Sequence, residues 1–328
     1  MPTINTNIPQ ICFSSMLPDV VNVTTDAESA AVTAVVTVDN VNVFETTIYG
    51  SNYRVNFYDI RSIIEAAIRH NNNIDGECEF EVTEGSSTAN TNGFTVIISD
   101  RIIPGNSAIL GSQFLTTLHA QRISRTGRQK ISWYATQNET ITYKIHATLR
   151  NNITQLTEVQ TWTQQQSATV AKGSYSATVD VATIAEHFGS NYTLLAFTVE
   201  RGANRKIDFF VTDEQPSSIF VFTNNFNAEE FAEVYGATVH KSSMESSEAR
   251  IMYSMQKYDF DLDQSFELES SLVNTEEYEF LAQLLTSRYV AIKDGSVYRE
   301  VLTDGEAEVS YNHATENRFK MSYKFARK

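Results

Sequence analysis

One group of ionisable side chains that could do chemistry is an acidic run in the C-terminal third of the chain. Its sequence is Asp259-Phe260-Asp261-Leu262-Asp263, and alternating acids of this kind open the calcium loop of an EF-hand. The remainder of that loop is missing, because Gln264 replaces the turn glycine and Ser270 replaces the bidentate glutamate. The apolar residues between the acids fit a β-strand better. Two interpretations stay open: the acidic row faces water, or a cation or basic partner covers it.

A basic stretch stands out near the middle of the chain. It consists of Arg122, Arg125, Arg128 and Lys130. A nucleic-acid site would interleave such cations with aromatic residues, but only Trp133 and Tyr134 are near. The stretch is therefore either a solvated strand and turn, or a docking patch for an acidic neighbour such as another copy of the chain. The candidate interface residues are Arg122, Arg125, Arg128, Asp259, Asp261 and Asp263.

Motifs for catalysis are missing from the sequence. None of the six histidines is spaced as a zinc pair or has a cysteine beside it. There is no G-x-S-x-G elbow, P-loop or G-x-G-x-x-G fingerprint. His187, at the end of a predicted helix, fits a capping or surface role. We therefore predict no catalytic residue, no cofactor and no metal site, and we expect that the protein is not an enzyme.

Length and charge narrow the classes of protein and of partner that fit the sequence. A chain of 328 residues suggests two or three domains, and 41% apolar content can fill their cores. A net charge of −15 argues against nucleic acid and anionic membranes as partners. The only two cysteines, Cys12 and Cys78, are either separate thiols or a single bridge.

The N-terminal sequence is unlike a secretory signal. It has neither a basic region nor an apolar one, and no apolar run approaches the ~20 residues that span a bilayer. We therefore expect no transmembrane segment and synthesis in the cytoplasm, with release only inside a particle or by lysis.

Isolated prolines suggest where the chain divides. Pro104 and Pro216 lie in turn-like segments, and Pro2, Pro9 and Pro18 mark the beginning of the chain. We predict an N-terminal arm (residues 1–18), module 1 (19–104), module 2 (105–215) and module 3 (216–328). The arm either reaches a neighbouring subunit or is frayed.

Modules 1 and 2 resemble diverged copies of one unit. Each has a segment beginning with Asp and ending with Glu, then an apolar strand, then a second strand ending with Asp. The paired segments are 59–65 with 180–186, 79–83 with 196–200, and 94–100 with 207–213. An internal repeat of this kind usually reflects architecture and not a reaction centre.

The hydrophobic pattern predicts a mainly β fold. Val32–Val38 and Thr140–His146 are rich in β-branched residues, which favour strands. Each repeat also has one short helix, with Asp59 or Asp180 as a candidate N-cap. The predicted unit is a small antiparallel β-sandwich with a helix across it or at one end. The apolar face predicted for the first helix is Ile60, Ile63, Ile64 and Ile68.

Module 3 has a different pattern, with strands around a single helix. A long strand is predicted from about Tyr253 to Glu269, because apolar and acidic residues alternate along it. The helix is predicted over Thr275–Thr286, with Asn274 as its cap and Glu277 completing a capping box. Three strands follow, and Asp294-Gly295 predicts a hairpin turn between the first two.

The C-terminal third contains Phe222–Glu230, Gly236, the segment opening with Thr275-Glu276-Glu277-Tyr278, and the strand ending in Met321–Ala326. Through these residues it resembles tail and baseplate structural proteins of tailed phages and prophages of gut anaerobes. The resemblance implies a distal-tail, hub or ring subunit of a virion. Such a subunit would bind copies of itself and other virion proteins.

Two functional hypotheses follow. The first is a virion structural subunit that acts as a homo-oligomer through protein–protein contacts. The alternative is a β-sandwich adhesin that binds a glycan or a receptor, since 15 tyrosines and many Asn and Thr residues suit a carbohydrate face.

Overall fold

The structure is a computed structural model that describes residues 1–99, 114–202, 205–251, 254–305 and 317–326. Side chains at 139–141, 165–170, 205, 243–251 and 254–263 are excluded from the description. The predicted boundary at residues 104 and 105 lies outside the described residues. The described parts contain 23 β-strands and three α-helices, so the predicted mainly β fold of sandwich-like modules with one helix each is confirmed.

Module 1 is a sandwich of two sheets. Its strands are β1 (Thr3–Ile4), β2 (Ile11–Phe13), β3 (Val20–Thr24), β4 (Ala31–Val38), β5 (Val41–Tyr49), β6 (Arg54–Tyr58), β7 (Asp75–Glu84), β8 (Ser87–Asn90) and β9 (Phe94–Ile97). The small sheet has the order β1-β3-β6, and the large sheet has the order β2-β9-β7-β4-β5, with β8 beside β7. Val32, Val36 and Phe80 are fully buried between the sheets, because alternate residues of a strand point to the same side.

The N-terminal residues are built into these two sheets. β1 pairs with β3, and β2 runs parallel to β9. Cys12 and Phe13 are buried, so apolar burial holds this segment in place. Residues 1–18 therefore form part of module 1 and do not stand free of it as an arm.

Helix α1 (Ile60–His70) follows β6 and packs on the module 1 core. Ile60, Ile64 and Ile68 are buried at helical spacing. Asp59 occupies the N-cap position, but its backbone is left-handed (φ 62°) and its side chain makes no capping hydrogen bond. The predicted role of Asp59 as a side-chain cap was therefore wrong.

Module 2 has a large and a small sheet as well. Its strands are β10 (Ala120–Ser124), β11 (Arg128–Ala135), β12 (Glu139–Asn151), β13 (Thr157–Val170), β14 (Gly173–Asp180), β15 (Tyr192–Arg201) and β16 (Arg205–Thr212). The large sheet has the order β10-β16-β15-β12-β13, and β11 pairs with β14 in the small sheet. Helix α2 (Val181–Phe188) begins at Asp180, whose Oδ1 accepts a hydrogen bond from the Thr183 N–H at 3.1 Å, so this predicted cap is confirmed.

The two modules share one topology. In each, the first strand of the large sheet runs parallel to the last one (β2 with β9, β10 with β16), and every other pair is antiparallel. In each, the helix connects the small sheet to the middle strand of the large sheet, β7 or β15. The strand order therefore agrees with the repeat predicted from sequence, apart from β1 and β8 in module 1.

Module 3 is a seven-stranded sheet with one helix. Its strands are β17 (Ser218–Thr223), β18 (Glu229–Val234), β19 (Gly236–Ile251), β20 (Ser254–Ser270), β21 (Val290–Asp294), β22 (Val297–Asp304) and β23 (Lys320–Phe325). The order is β18-β17-β21-β22-β23-β20-β19. Helix α3 has the predicted bounds Thr275–Thr286, and Asn274 Oδ1 accepts the Glu277 N–H at 2.7 Å. The predicted Asp294-Gly295 turn connects β21 to β22.

Candidate interaction surfaces

The basic stretch of module 2 lies against module 3 of the same chain. The Arg122 guanidinium is 3.6 Å from the Glu277 carboxylate and donates to Ser271 Oγ at 3.1 Å. It also stacks on the Tyr235 ring, 4.9 Å from its centroid. Burial raises the pKa of Glu277, and the Arg122 charge opposes that shift. The acidic neighbours of Arg122 are thus Glu214, at 3.9 Å, and the first turn of α3, which contains Glu276 and Glu277.

The other cations of the stretch are also engaged within the chain. Arg125 pairs with Asp213, and this hydrogen bond lowers the pKa of that carboxyl. Arg128 lies over the Phe231 ring at 4.8 Å and donates to the Tyr298 hydroxyl at 3.2 Å. Nζ of the nearby Lys130 is 3.4 Å from Glu229. These contacts place Arg122 and Arg128 at the boundary of modules 2 and 3, whereas a contact with another subunit stays a prediction.

Two polar side chains that the sequence did not single out complete this boundary. Gln129 is buried in β11, and its amide group both donates to and accepts from the Phe231 backbone of β18, at 2.9 and 2.8 Å. The Glu233 carboxylate accepts the Ser124 N–H at 2.6 Å and its hydroxyl at 2.8 Å. Buried polar groups with satisfied hydrogen bonds fix one relative arrangement. Modules 2 and 3 are therefore held together by specific contacts.

All three modules meet in one small apolar cluster. Its buried members are Phe13 and Ile97 of module 1, Leu115 and Tyr134 of module 2, and Phe226 of module 3. The Phe13 and Phe226 rings are 5.9 Å apart. The Asn224 side chain donates to the Leu115 carbonyl at 2.8 Å beside it. This cluster connects module 1 to the other two.

A buried carboxyl lies next to this cluster. Glu230 of β18 is 2% exposed, and the Thr116 and Asn224 side chains hydrogen-bond to it. Its Oε2 has no hydrogen-bond partner among the described atoms. Burial raises the pKa of Glu230 to about 8, outweighing those hydrogen bonds. Glu230 is therefore mostly protonated at neutral pH.

The acidic run belongs to a long two-stranded ribbon, formed by β19 and β20. Asp259, Asp261 and Asp263 lie in β20, with backbones opposite Ser247, Glu245 and Ser243 of β19. Their side chains lie outside the described part of the chain. β23 pairs with β20 only at residues 266–269, so in the described pairings residues 254–265 have β19 as their one strand partner.

The cysteines and histidines are dispersed. Cys12 and Cys78 are free, buried thiols in the core of module 1, and burial raises the pKa of Cys12 to about 12. His187 lies in the last turn of α2, as predicted, and stacks on Trp162 at 4.0 Å. Within the described ranges, no three His, Cys, Asp or Glu side chains are grouped so that they could hold a metal ion.

Two further observations concern the surface and the helices. Tyr49 and Tyr53, around the β5–β6 turn, are 80% and 49% exposed. None of the helices in the described ranges combines the length and the apolar character needed to cross a membrane.

Comparisons with known proteins add little to this geometry. No protein family model matches the chain, and no curated protein matches it. A solved structure of fibronectin(III)-like modules of Clostridium thermocellum CbhA is similar over 65% of this chain and 94% of that chain, at 8% identity and a TM-score of 0.18. At that TM-score the likeness carries no argument about fold or function.

Proposed function

We propose that this chain is a structural subunit that assembles with copies of itself, as a tail or baseplate component of a phage or prophage virion. The observation that carries the proposal is the β19–β20 ribbon. Twelve residues of β20, 254–265, extend past β23, which at ~3.3 Å per residue is roughly 40 Å. A ribbon of this length can contact a second molecule that lies beyond the rest of module 3.

The base of the ribbon is fixed by a glycine. Gly236 opens β19 with φ +156°, and a Cβ there would lie 2.1 Å from the Glu269 carbonyl oxygen. Only glycine tolerates so close an approach of two backbones. The direction in which the ribbon leaves module 3 is therefore set by the backbone.

The ribbon needs a partner on physical grounds. An isolated two-stranded ribbon is only marginally stable in water, and its outer edges present unpaired N–H and C=O groups. Another strand or sheet can pair with such an edge. A neighbouring copy can supply that surface, and closed symmetry then multiplies the contact around a ring.

Two features support the virion assignment. The resemblance of the C-terminal third to tail and baseplate proteins includes Gly236, the residue that opens the ribbon. Modules 2 and 3 are also joined by buried polar contacts, such as those of Gln129 and Asn224, and a firmly joined chain suits a particle that must hold its shape. Copies of this chain and other virion proteins are the proposed partners.

An adhesin is the second candidate. The exposed Tyr49 and Tyr53 favour it, because exposed aromatic rings with polar tips suit glycan contacts.

Shortening the ribbon tests the proposal. Replacing residues 244–262 with Asn-Gly joins Ser243 to Asp263, which face each other in the register, through a two-residue hairpin turn. We expect light scattering after size exclusion to give a multiple of 36.9 kDa for the full chain and fewer subunits per particle for the shortened chain. Gln160→Ala, at a half-buried position on β13, is the control and keeps the full-chain mass.

Two outcomes would overturn the proposal. A full chain that stays monomeric and binds a glycan array would favour the adhesin. A shortened chain with the same number of subunits as the full chain and an unchanged thermal midpoint would show that the ribbon has no role in assembly.

A further inference from the structure

We infer that the outer face of the large sheet of module 1 in one copy packs on the outer face of the large sheet of module 2 in the next copy. The inference rests on the proposed self-assembly and names a second contact within it. It depends on residues whose side chains the structure describes, all of them outside the ribbon.

The outer face of module 1 is acidic. The strands of its large sheet contain no Lys or Arg at all. The register aligns Glu45 of β5, Val35 of β4 and Glu81 of β7 in one row across the sheet. Glu45 is exposed and Glu81 is half-buried. Neither takes part in an ion pair among the described residues.

The outer face of module 2 has a row of the opposite sign. The register aligns Lys144 of β12, Glu200 of β15 and Lys206 of β16. Lys206 Nζ is 2.9 Å from the Glu200 carboxylate, and this contact lowers the pKa of Glu200. Lys144, at the other end of the row, is exposed and takes part in no ion pair among the described residues. In a chain with a net charge of −15, this row carries a net positive charge.

The two rows match in spacing. The acids of module 1 are separated by one intervening strand, and so are the lysines of module 2. Each separation is therefore two strand spacings, or roughly 10 Å. Two sheets that stack with their strands nearly aligned can place one lysine opposite each glutamate.

The pairing of unlike faces sets the kind of assembly. Module 1 of one copy meets module 2 of another, so each copy uses two different surfaces. Such a head-to-tail contact forms a ring when the rotation closes. Charge complementarity of this kind also rejects a pairing of two acidic faces.

Charge exchange on the full chain tests the inference. The variants are E45K/E81K, K144E/K206E and the combination of all four changes. The measurement is the dissociation constant between subunits, by sedimentation at about 50 mM and about 500 mM salt. We expect each double variant to weaken association by about tenfold or more, the fourfold variant to regain most of that loss, and high salt to weaken the wild type.

A matched control changes the same charge elsewhere. E28K/E158K alters two exposed glutamates away from both rows, and we expect the wild-type dissociation constant. Thermal unfolding of every variant confirms that each one is folded.

The outcomes separate this inference from the proposed function. If the protein is an oligomer and neither double variant changes the dissociation constant between subunits, the inference is overturned and the proposed assembly still stands. Double variants that weaken association without rescue in the fourfold variant also overturn it, because the two rows then do not face each other. A monomeric wild-type chain removes the proposed assembly and this contact together.

Discussion

Modules 1 and 2 have the same strand order but differ in what lies beside their small sheets. In module 1, β3 is bordered by β1 from the first residues of the chain. In module 2, the equivalent β11 lies against β18 of module 3, with the Gln129 side chain bonded to the Phe231 backbone. The N-terminal segment and module 3 therefore occupy equivalent places beside the two small sheets, β1 through backbone pairing and β18 through side-chain hydrogen bonds.

The comparison also separates what preserves the fold from what has diverged. Phe80 of β7 and Phe197 of β15 are both fully buried between their sheets, and such inward positions determine the sandwich. The outward charges differ, since Glu45 and Glu81 lie in one row of module 1 and Lys144, Glu200 and Lys206 in one row of module 2. Because outward residues do not determine strand order, they are free to acquire different partners.

The largest expected effect comes from removing the equivalent core phenylalanines. Phe80 packs edge-on against Phe57 at 5.7 Å, and Phe197 stacks on Phe209 at 4.7 Å. Phe80→Ala and Phe197→Ala should each lower the free energy of unfolding by about 3–5 kcal/mol. Hydrogen exchange should show that Phe80→Ala loosens mainly module 1, whereas Phe197→Ala loosens modules 2 and 3 together. If the amides of module 3 were protected from hydrogen exchange equally well in Phe197→Ala and in the wild type, the coupling of modules 2 and 3 would be contradicted.

A smaller, pH-dependent effect should come from Glu230 at the boundary of modules 2 and 3. Its folded-state pKa of about 8 lies above the ordinary value of 4.5, so the folded state holds a proton that the unfolded state loses. Stability should therefore fall as pH rises from about 4.5 to 8. Glu230→Gln should remove this loss and stabilise the protein by a few kcal/mol at most near pH 8.

Urea unfolding of Glu230→Gln from pH 5 to 8 measures this difference. Glu229→Gln, at a neighbouring exposed position, is the control and should follow the wild-type pH profile. A stability difference between Glu230→Gln and wild type that is constant over this range would disprove the protonation of Glu230.

The smallest effect should distinguish the two equivalent helix starts. Asp180 caps α2 with its side chain, whereas Asp59 precedes α1 in a left-handed conformation without a side-chain bond. Asp180→Ala should cost about 1 kcal/mol. Asp59→Gly should stabilise by up to about 1 kcal/mol, because glycine adopts a positive φ readily. Thermal midpoints of both variants test this, and a loss of equal size at both positions would mean that the two caps are alike.

The sequence predicts local structure well where one strong signal acts alone. Helix α3 has the predicted bounds because Asn274 caps it and an apolar stripe follows. The sequence predicts β20 by its alternation, but not its partner β19, because Ser242–Glu248 is rich in Ser and Glu, which are not typical strand formers.

The contacts between modules were beyond sequence prediction for a different reason. Arg128 was identified as a docking residue, but its partner Phe231 is about a hundred residues away. Gln129 and Glu230 carry no signal of their own, since an isolated polar residue in a strand is usually exposed. Their roles depend on the placement of β18 beside β11, which only the folded chain defines.

Electron microscopy of the purified full chain at micromolar concentration tests the central claim most directly. Self-assembly through β-surfaces predicts closed rings of identical three-module subunits. Micrographs that show only separate three-module particles, at concentrations where the chain is folded, would contradict self-assembly.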